Sequence, residues 1–372
     1  MLGVAACLVF LVPATGACLY YLALTIAGVL PARMEQNTRR PGESHRPVHS
    51  FVILIPAHNE ETTLPATFQS IAALDYPAEL VRVLVVADNC TDRTAEVARE
   101  GGAICLVRDD REHCGKGFAV AVGVKCLAEG DSDIVLILDA DCTLRPDALR
   151  ELDATFVNGA DVVQAAVWSR NADDGPGGYV AAVGAAVDDA LAAGWERFGR
   201  SVPLRGTGMA FRRLALGRVQ WATSSLVEDV EYARQVQATG GRVRFCRRAV
   251  VSCYAPAGVD ALCRQRRRWR AAVRVGGWVE CKPLVLMHLL VTVAVSTLLG
   301  LFLWWAVGLA ALTAGLYLRA AARVGFTRHR VGLLFRSPAV VARLAWVVLA
   351  GVLEQKTGTW DRTPRLGEGV KG

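Results

Sequence analysis

Residues 134–144 read IVLILDADCTL, and the interpretation of the whole chain starts from this stretch. An apolar run leads directly into Asp139 and Asp141, which indicates a buried central strand that delivers carboxylates to its C-terminal end. Ligands of open α/β sheets bind at that edge. Two carboxylates spaced by one residue suit Mg²⁺ or Mn²⁺, and such a cation would hold a diphosphate. Acid pairs after strands are also common as helix caps, so the metal site needs support from the rest of the chain.

The composition indicates a protein that is part membrane and part aqueous. Of the 372 residues, 53% are hydrophobic, and the mean hydropathy of +0.31 is too high for an ordinary soluble enzyme. The 21% of charged residues excludes a chain that lies wholly in lipid. Eleven cysteines occur without a CxxC pair or a metal-ligand spacing. This usage predicts reduced, structural thiols in a cytoplasmic setting.

Residues 1–32 carry no charge and predict an N-terminal transmembrane helix. Such a run exceeds the length needed to cross a hydrocarbon core of about 30 Å at ~1.5 Å per residue. A signal peptide is the competing interpretation, weakened because no basic residue precedes the apolar run. Arg33, Arg39 and Arg40 follow, and the positive-inside rule then places the next segment in the cytoplasm. Residues 33–50 are interpreted as a linker.

From residue 51 the chain alternates strand-like and helical segments. The strand-like runs are FVILIP, VRVLVV, AICLV, IVLILD and DVVQAAV. This alternation predicts an α/β domain with a mostly parallel sheet covered by helices. Short loops with polar side chains follow these strands, namely Ala57, His58 and Glu60 in PAHNE and Asp88 in VADNCTD. Lys116 lies in a GKG turn that opens a helix and could place its ammonium near a phosphate or base. Loops of this kind at one sheet edge are suited to bind a nucleoside.

Three further motifs follow the sheet. Gly208 lies in a glycine turn, GTGMAFRR, where backbone can approach a ligand closely. Glu228 and Asp229 begin a helix, where Asp229 is either a first-turn acid favoured by the helix dipole or a general base. The basic run CRQRRRWR immediately precedes an apolar block, which favours a membrane surface over nucleic acid. Membrane attraction does not explain the residues Gln265, Arg268 and Trp269.

In this order, the motifs PAHNE, VADNCTD, GKG, DAD, GTGMAFRR, VEDVEY and QRRRW resemble the membrane-integral family 2 glycosyltransferases. That group includes cellulose, chitin and hyaluronan synthases. The resemblance covers residue 51 to about residue 276 and implies a GT-A (Rossmann-like) fold. It implies a cytoplasmic catalytic domain over residues 51–257 and an amphipathic interface helix with QxxRW over residues 258–283.

The resemblance also implies roles for individual residues. Asp229 would be the catalytic base, and Asp139 and Asp141 would hold Mn²⁺ or Mg²⁺. Asp88 would contact the uracil of the donor. The implied substrate-binding residues are Ala57, His58, Glu60, Asp88, Lys116, Asp139, Gly208, Glu228, Gln265, Arg268 and Trp269.

The predicted reaction is transfer of a hexose, of the glucose or N-acetylglucosamine type, from a UDP-sugar to a saccharide acceptor. One base without a dedicated nucleophile predicts a single displacement that inverts the anomeric carbon. A lipid glycosyltransferase of the ceramide or polyprenyl type is the closest alternative. A catalytically inactive nucleotide-sugar-binding protein and a nucleotidyltransferase are weaker alternatives.

The C-terminal part predicts further membrane contact. Residues 284–318 are uncharged, and arginines follow from Arg319, so residues 284–322 are predicted to form a transmembrane helix pair. Within the segment 323–372, residues 337–353 are predicted to form an interfacial helix, with a third span as the alternative. Trp360 lies in a tail where it would gate the donor side or anchor at the interface. So few membrane helices cannot enclose a polysaccharide channel in one chain, which leaves short products, a lipid-linked acceptor or a homo-oligomer open.

Overall fold

The computed structural model describes residues 2–29, 46–127, 132–219, 221, 228–256, 258–268 and 282–353. The chain divides into two compact units. The sheet unit comprises Pro31–Trp168 and Trp195–Tyr254. The helical unit comprises Met1–Leu30, Ser169–Gly194 and Ala255–Gly372.

The sheet unit is built on one eight-stranded sheet with the order β3-β2-β1-β4-β7-β6-β8-β5. Its strands are β1 Phe51–Ala57, β2 Val81–Asp88, β3 Ile104–Arg108, β4 Ile134–Ile137, β5 Thr143–Leu144, β6 Val162–Ser169, β7 Met209–Arg212 and β8 Val243–Cys253. Strands β3, β2, β1 and β4 are mutually parallel. Strand β7 is antiparallel to both β4 and β6, and β5 is antiparallel to β8. The predicted parallel arrangement is therefore present around β1 and β4, and the whole sheet is mixed.

The central strands β1 and β4 are buried on both faces. Ile53 and Leu54, which point to opposite faces of β1, are both 0% exposed, and all four residues of β4 are equally buried. A parallel strand covered on both faces needs a continuous apolar run, which is the pattern of FVILIP and IVLIL. The helices of this unit are α2 Leu64–Ala72, α3 Thr94–Glu100, α4 Lys116–Leu127, α5 Ala148–Val157, α7 Arg213–Leu216 and α8 Glu228–Ala238.

The helical unit contains the apolar segments at both ends of the chain. Its helices are α1 Leu2–Val29, α6 Pro176–Arg197 as far as Gly194, α9 Val259–Arg268, α10 Lys282–Leu299, α11 Leu303–Val324 and α12 Arg328–Leu353. Helices α1 and α6 touch backbone to backbone, because a Cβ on Gly194 would lie 2.2 Å from the carbonyl oxygen of Leu24. A glycine is therefore required at this crossing.

The uncharged block after residue 284 forms two helices. The break lies between α10 and α11, where Gly300 has φ 62° and Phe302 has φ 55°. Among the described helices, Cys7–Gly28 and Leu303–Val324 are long and apolar enough to cross a membrane, and His288–Leu299 is shorter. A buried core helix and a signal sequence meet the same criterion, so the predicted spans stay predictions.

Helix α12 begins earlier than the helix predicted for residues 337–353. It starts at Arg328 and includes Arg330 and Arg336, whereas Arg319 and Arg323 lie in α11. It packs on α9, and Leu262 and Cys263 of α9 belong to one apolar cluster with Leu344 of α12. Arg343 Nη2 also lies 2.6 Å from Asp260 Oδ1. Arg343 of α12 thus forms an ion pair within the helical unit. The apolar pattern of residues 337–353 does not by itself indicate this contact.

Candidate functional site

Two asparagines turn the chain at the carboxyl ends of β1 and β2. Asn59 has φ 54° and Asn89 has φ 51°, a left-handed region that asparagine enters more readily than most side chains. The Asn59 side-chain oxygen accepts a hydrogen bond of 2.7 Å from the backbone N–H of Thr91. The two loops are therefore tied to each other at the edge where polar residues were predicted.

The first predicted binding residues meet at this edge. His58 Nδ1 lies 2.7 Å from the carbonyl oxygen of Asp88, and Ala57 is 3% exposed at the end of β1. Glu60 is buried, and its carboxylate accepts a hydrogen bond of 2.5 Å from the Thr63 hydroxyl. These contacts give Ala57, His58 and Glu60 a part in shaping the loop, and their contact with a nucleoside stays a prediction.

Arg108 is a site residue that was not predicted from the sequence. It ends β3 opposite Asp88 in the parallel register. Its Nη1 lies 2.5 Å from Asp88 Oδ1, and its Nη2 lies 2.8 Å from Asp110 Oδ2. Both side chains of the first pair are largely buried, at 12% and 7% exposed. The signal in the sequence was an arginine at the end of AICLVR, but its partner depends on the β2–β3 register.

Asp139 and Asp141 lie where the strand pattern predicted, just beyond β4. One oxygen of each carboxylate and the sulfur of Cys142 lie within 4.8 Å of one another. The sulfur is bonded to another cysteine and is therefore unavailable as a ligand. The two remaining donors are hard carboxylate oxygens, which fit Mg²⁺ or Mn²⁺ rather than a thiophilic metal.

Lys116 connects the Asp139 carboxylate to a backbone loop. Its Nζ donates to Asp139 Oδ1 and, over 2.6 Å, to the carbonyl oxygen of Gly206. Burial lowers the pKa of Lys116, but the surrounding carboxylates, Asp139 first, outweigh burial and leave that pKa raised. Lys116 is therefore a fixed positive charge among the acids of the site.

Asp229 and Glu228 open α8 beside this lysine. Burial and the neighbouring Glu228 raise the pKa of Asp229 to about 7, while Lys116 acts in the opposite direction. The pKa of Glu228 is raised as well, chiefly by burial. A Cβ on Gly206 would lie 3.6 Å from Asp229 Oδ2 and 3.5 Å from Lys116 Nζ. Gly206 thus lies between the predicted base and the lysine, and it has φ 81°.

Gly208 has a packing role in the structure. Its φ is 64°, and an added Cβ would lie 2.8 Å from Val251 Cγ2. Its N–H donates 2.9 Å to the carbonyl of Ile137, in the strand that leads to Asp139. These contacts explain a glycine at this position, and a ligand contact stays a prediction.

The expectation of reduced thiols is wrong for one pair, because Cys142 and Cys253 form a disulfide. The two residues are separated by 111 positions, so their proximity is invisible in the sequence. Strand β5 pairs with β8 so that Thr143 opposes Ser252, which sets Cys142 opposite Cys253 with a Cα–Cα distance of 4.4 Å. The disulfide lies next to Asp141.

The QxxRW motif falls in the helical unit and is only partly described. Gln265 is half-buried on α9, and Arg268 is the last residue of that helix. The Arg268 side chain and the whole of Trp269 lie outside the described residues, as does Trp360. Their predicted contacts with a diphosphate or an acceptor stay predictions.

Several curated proteins are similar to this chain over part of their length. The probable glycosyltransferase YdaM of Bacillus subtilis (strain 168) is 28% identical over 244 residues, which is 63% of this chain and 58% of that protein. The beta-monoglucosyldiacylglycerol synthase of Synechocystis is 26% identical over 60% of this chain and 47% of that protein. A poly-beta-1,6-N-acetyl-D-glucosamine synthase of Staphylococcus epidermidis is 24% identical over 60% of this chain and 55% of that protein. The chain thus spans about half the length of these relatives.

One solved structure is similar over nearly the whole chain. It is the mannosyltransferase PcManGT from Pyrobaculum calidifontis in complex with GDP-Man and Mn²⁺. The TM-score is 0.60 at 20% identity, with 95% of this chain and 98% of that chain covered. This likeness shows a shared fold, and the mixed sheet with its covering helices is therefore a GT-A fold.

The family model described as glycosyltransferase like family 2 matches residues 47–272, more than half of the chain. The matched segment includes the whole eight-stranded sheet and the acids at its edge. The chain therefore belongs to glycosyltransferase family 2.

Proposed function

We propose that this protein is a membrane-integral, inverting glycosyltransferase that transfers a hexose of the glucose or N-acetylglucosamine type from a UDP-sugar to a saccharide acceptor. The observation that carries the proposal is the meeting of Asp229, Lys116 and the Asp139–Asp141 pair at one sheet edge. The site combines an acid whose pKa is raised to about 7 with a fixed positive charge and a pair of metal-type ligands. Transfer from a nucleotide sugar needs a base for the acceptor hydroxyl and positive charge for the departing diphosphate, and these groups can supply both.

Asp229 is assigned as the base because its raised pKa of about 7 suits proton transfer and because it lies beside Lys116. Its carboxylate takes the proton of the attacking acceptor hydroxyl as the new bond to the anomeric carbon forms. The bond from that carbon to the diphosphate oxygen breaks at the same time, and its electron pair leaves with UDP. The proton on Asp229 then passes to water. One displacement inverts the anomeric carbon.

Asp139 and Asp141 would hold the metal ion. When bound, Mn²⁺ or Mg²⁺ supplies positive charge that stabilises the departing diphosphate. Lys116 adds its own charge within the same group of acids. Asp88, paired with Arg108, is the proposed acceptor for the uracil N–H.

The acceptor is proposed to be a saccharide, and a lipid is the second candidate. A relative named as a poly-N-acetylglucosamine synthase supports the saccharide. A relative named as a diacylglycerol glucoside synthase supports the lipid, as do the apolar helices α1 and α11, which are long enough to cross a membrane. The proposed location is a cell membrane, with the sheet unit on the cytoplasmic side.

The deciding experiment measures UDP release and product formation by the detergent-solubilised protein with Mn²⁺ or Mg²⁺. A panel of UDP-hexoses with GDP-mannose identifies the donor, and saccharide and lipid acceptors are added separately. Asp229→Asn should abolish transfer while UDP still binds, because the amide cannot take the proton. Glu79→Gln, which makes the same carboxylate-to-amide change at an exposed position of the sheet unit, is the matched control and should retain transfer.

Undiminished transfer by Asp229→Asn would reject Asp229 as the base. Transfer from GDP-mannose alone would reject the UDP assignment. Measurable UDP binding without transfer from any donor would favour the inactive binding protein.

A further inference from the structure

Gln164 is a buried polar residue that the proposed chemistry does not use. It lies on β6, is 0% exposed, and opposes Met209 in the antiparallel register with β7. A long amide side chain is rarely buried unless its hydrogen-bonding groups are satisfied.

The Gln164 amide binds both ends of one loop, residues 205–208. Its Nε2 donates 2.9 Å to the carbonyl oxygen of Thr207, and its Oε1 accepts 2.9 Å from the N–H of Arg205. The same nitrogen lies 2.9 Å from the carbonyl oxygen of Ala165 and 3.4 Å from that of Gly208. Only one orientation of the amide makes all of these hydrogen bonds. Exchanging its oxygen and nitrogen would place the oxygen against carbonyl oxygens and the NH₂ group against the N–H of Arg205.

The clamped loop supplies partners to residues of the proposed site. The carbonyl of Gly206 accepts from Lys116 over 2.6 Å. The Thr207 hydroxyl accepts 3.0 Å from the N–H of Asp139. Gly206 also lies against Asp229, as the position of its missing Cβ shows. One short loop therefore contacts the lysine, a proposed metal ligand and the base.

The loop is bonded to the neighbouring strands at Gly208, whose N–H donates to the carbonyl of Ile137 and whose carbonyl accepts from the N–H of Ala165. Its backbone at Arg205 and Thr207 is bonded by Gln164. Gly206 and Gly208 both have positive φ, so the backbone of the loop is not extended until β7 begins at Met209. Glycine residues in such a turn leave the backbone more conformational freedom than other residues do. The Gln164 amide supplies the buried hydrogen bonds that a strand partner would otherwise make.

We propose that Gln164 is a positioning residue for sugar transfer, which holds the loop of residues 205–208 so that Lys116, Asp139 and Asp229 keep their reactive arrangement. It acts through the loop and touches no reacting atom. This inference rests on the proposed function for its catalytic consequence, and its structural part is tested separately.

The test compares the full-length protein with Gln164→Met, which keeps the length of the side chain and removes its hydrogen bonds. Hydrogen exchange measured by mass spectrometry should show several-fold faster exchange in peptides covering residues 205–209. Peptides covering β1 should be unchanged. Val163→Thr, at a neighbouring buried position of β6, is the control, because it perturbs the strand without touching the loop's hydrogen bonds.

The kinetic measurement separates positioning from general loss of structure. In Gln164→Met, kcat should fall by about tenfold to a hundredfold, as expected for misplaced catalytic groups. The dissociation constant for uridine should change little, because Asp88 and its partner Arg108, which are proposed to hold the uracil, lie at the ends of β2 and β3 and not in the loop of residues 205–208. Val163→Thr should retain kcat even if its melting temperature falls to the same extent.

Two results would overturn the inference. If hydrogen exchange of residues 205–209 is unchanged in Gln164→Met, Gln164 does not hold the loop, whatever reaction the protein performs. Equal losses of kcat in Gln164→Met and Val163→Thr would reduce Gln164 to a structural residue. If the wild-type protein transfers no sugar, the proposed function fails, and the exchange experiment still decides whether Gln164 holds the loop.

Discussion

The charge state of Asp229 is set by its neighbours more than by its own chemistry. An aspartate normally ionises near pH ~4, whereas burial and Glu228 raise the pKa of Asp229 to about 7. A base works best when its pKa lies near the working pH, because it is then both available and strong enough to take the proton. The two adjacent acids of α8 are therefore proposed to have different roles, in which Glu228 raises the pKa of the proposed base Asp229.

This tuning predicts a pH dependence. Asp229 must be ionised to act as a base, so transfer should fall as the pH drops through about 7. Glu228→Gln removes a negative neighbour, which lowers the pKa of Asp229 and should move this acid limb to lower pH. The measurement is kcat/KM against pH at fixed Mn²⁺. An acid limb that stays in place in Glu228→Gln would contradict the assigned cause.

Arg108 is predicted to affect donor binding rather than the chemical step. Arg108→Met leaves the buried Asp88 carboxylate without its guanidinium partner. We expect UDP affinity to fall by about tenfold or more, equivalent to ~1.4 kcal/mol, with a smaller effect on kcat. Isothermal titration with UDP and Mn²⁺ measures this change. Arg111→Met, whose side chain is 82% exposed, is the control, and an equal effect in both variants would reject the specific role of Arg108.

At the scale of the elements, the pairing of β5 with β8 joins parts of the chain that are far apart in sequence. Strand β5 has two residues, Thr143 and Leu144, and a strand this short makes few ladder hydrogen bonds. The disulfide between Cys142 and Cys253 fixes it against β8. The backbone that follows Asp141 is therefore anchored covalently within the sheet unit.

The disulfide should contribute measurably to stability. A disulfide typically stabilises a domain by ~2–4 kcal/mol. Cys253→Ser should therefore unfold at a lower temperature than the wild-type protein, whereas Cys126→Ser, which removes an exposed free cysteine, should not. Peptide mapping without reduction should recover Cys142 linked to Cys253. Alkylation of both cysteines before any reductant is added would contradict the cross-link.

At the scale of the whole molecule, the apolar helices decide whether the protein is integral to a membrane. One side of α11 is exposed and apolar or small, and it includes Trp304, Val307, Ala311 and Leu318. Such a face is expected of a helix that meets lipid, and it is unusual on the surface of a soluble protein.

A charge placed on this face distinguishes the two environments. Ala311→Arg would cost about 2.5–3.5 kcal/mol at the centre of a transmembrane helix, but a surface arginine in water is nearly neutral for stability. We expect wild-type protein to stay in the membrane pellet after alkaline carbonate extraction and the variant to be inserted less completely. Release of the wild-type protein by carbonate would reject integral insertion. Glu79→Arg, at an exposed position of the sheet unit, is the control for added charge.

Strands β1 to β4 and β6 with the helices between them, the acids at the end of β4 and the acidic start of α8 were predicted from the sequence by itself, whereas β5 and β8 were not. These features depend on local patterns. The spacing of apolar residues indicates whether a segment is a strand or a helix, and residues that directly follow a parallel strand lie at the carboxyl edge of the sheet. The positions of Asp139 and Asp141 at the sheet edge follow from that local logic, whereas the approach of Asp229 to Lys116 depends on the packing of α8. Family membership, shown by the match over residues 47–272, agrees with it.

Only the tertiary structure decided the contacts that depend on strand register and long-range pairing. Arg108 meets Asp88 because β2 and β3 pair in one register, and Cys142 meets Cys253 because β5 pairs with β8. Gln164 binds residues 205–208 because β7 is antiparallel to its neighbours on both sides. A sequence pattern carries the preference of each segment for its own structure, whereas these partners are chosen by the packing of segments that lie far apart in the chain.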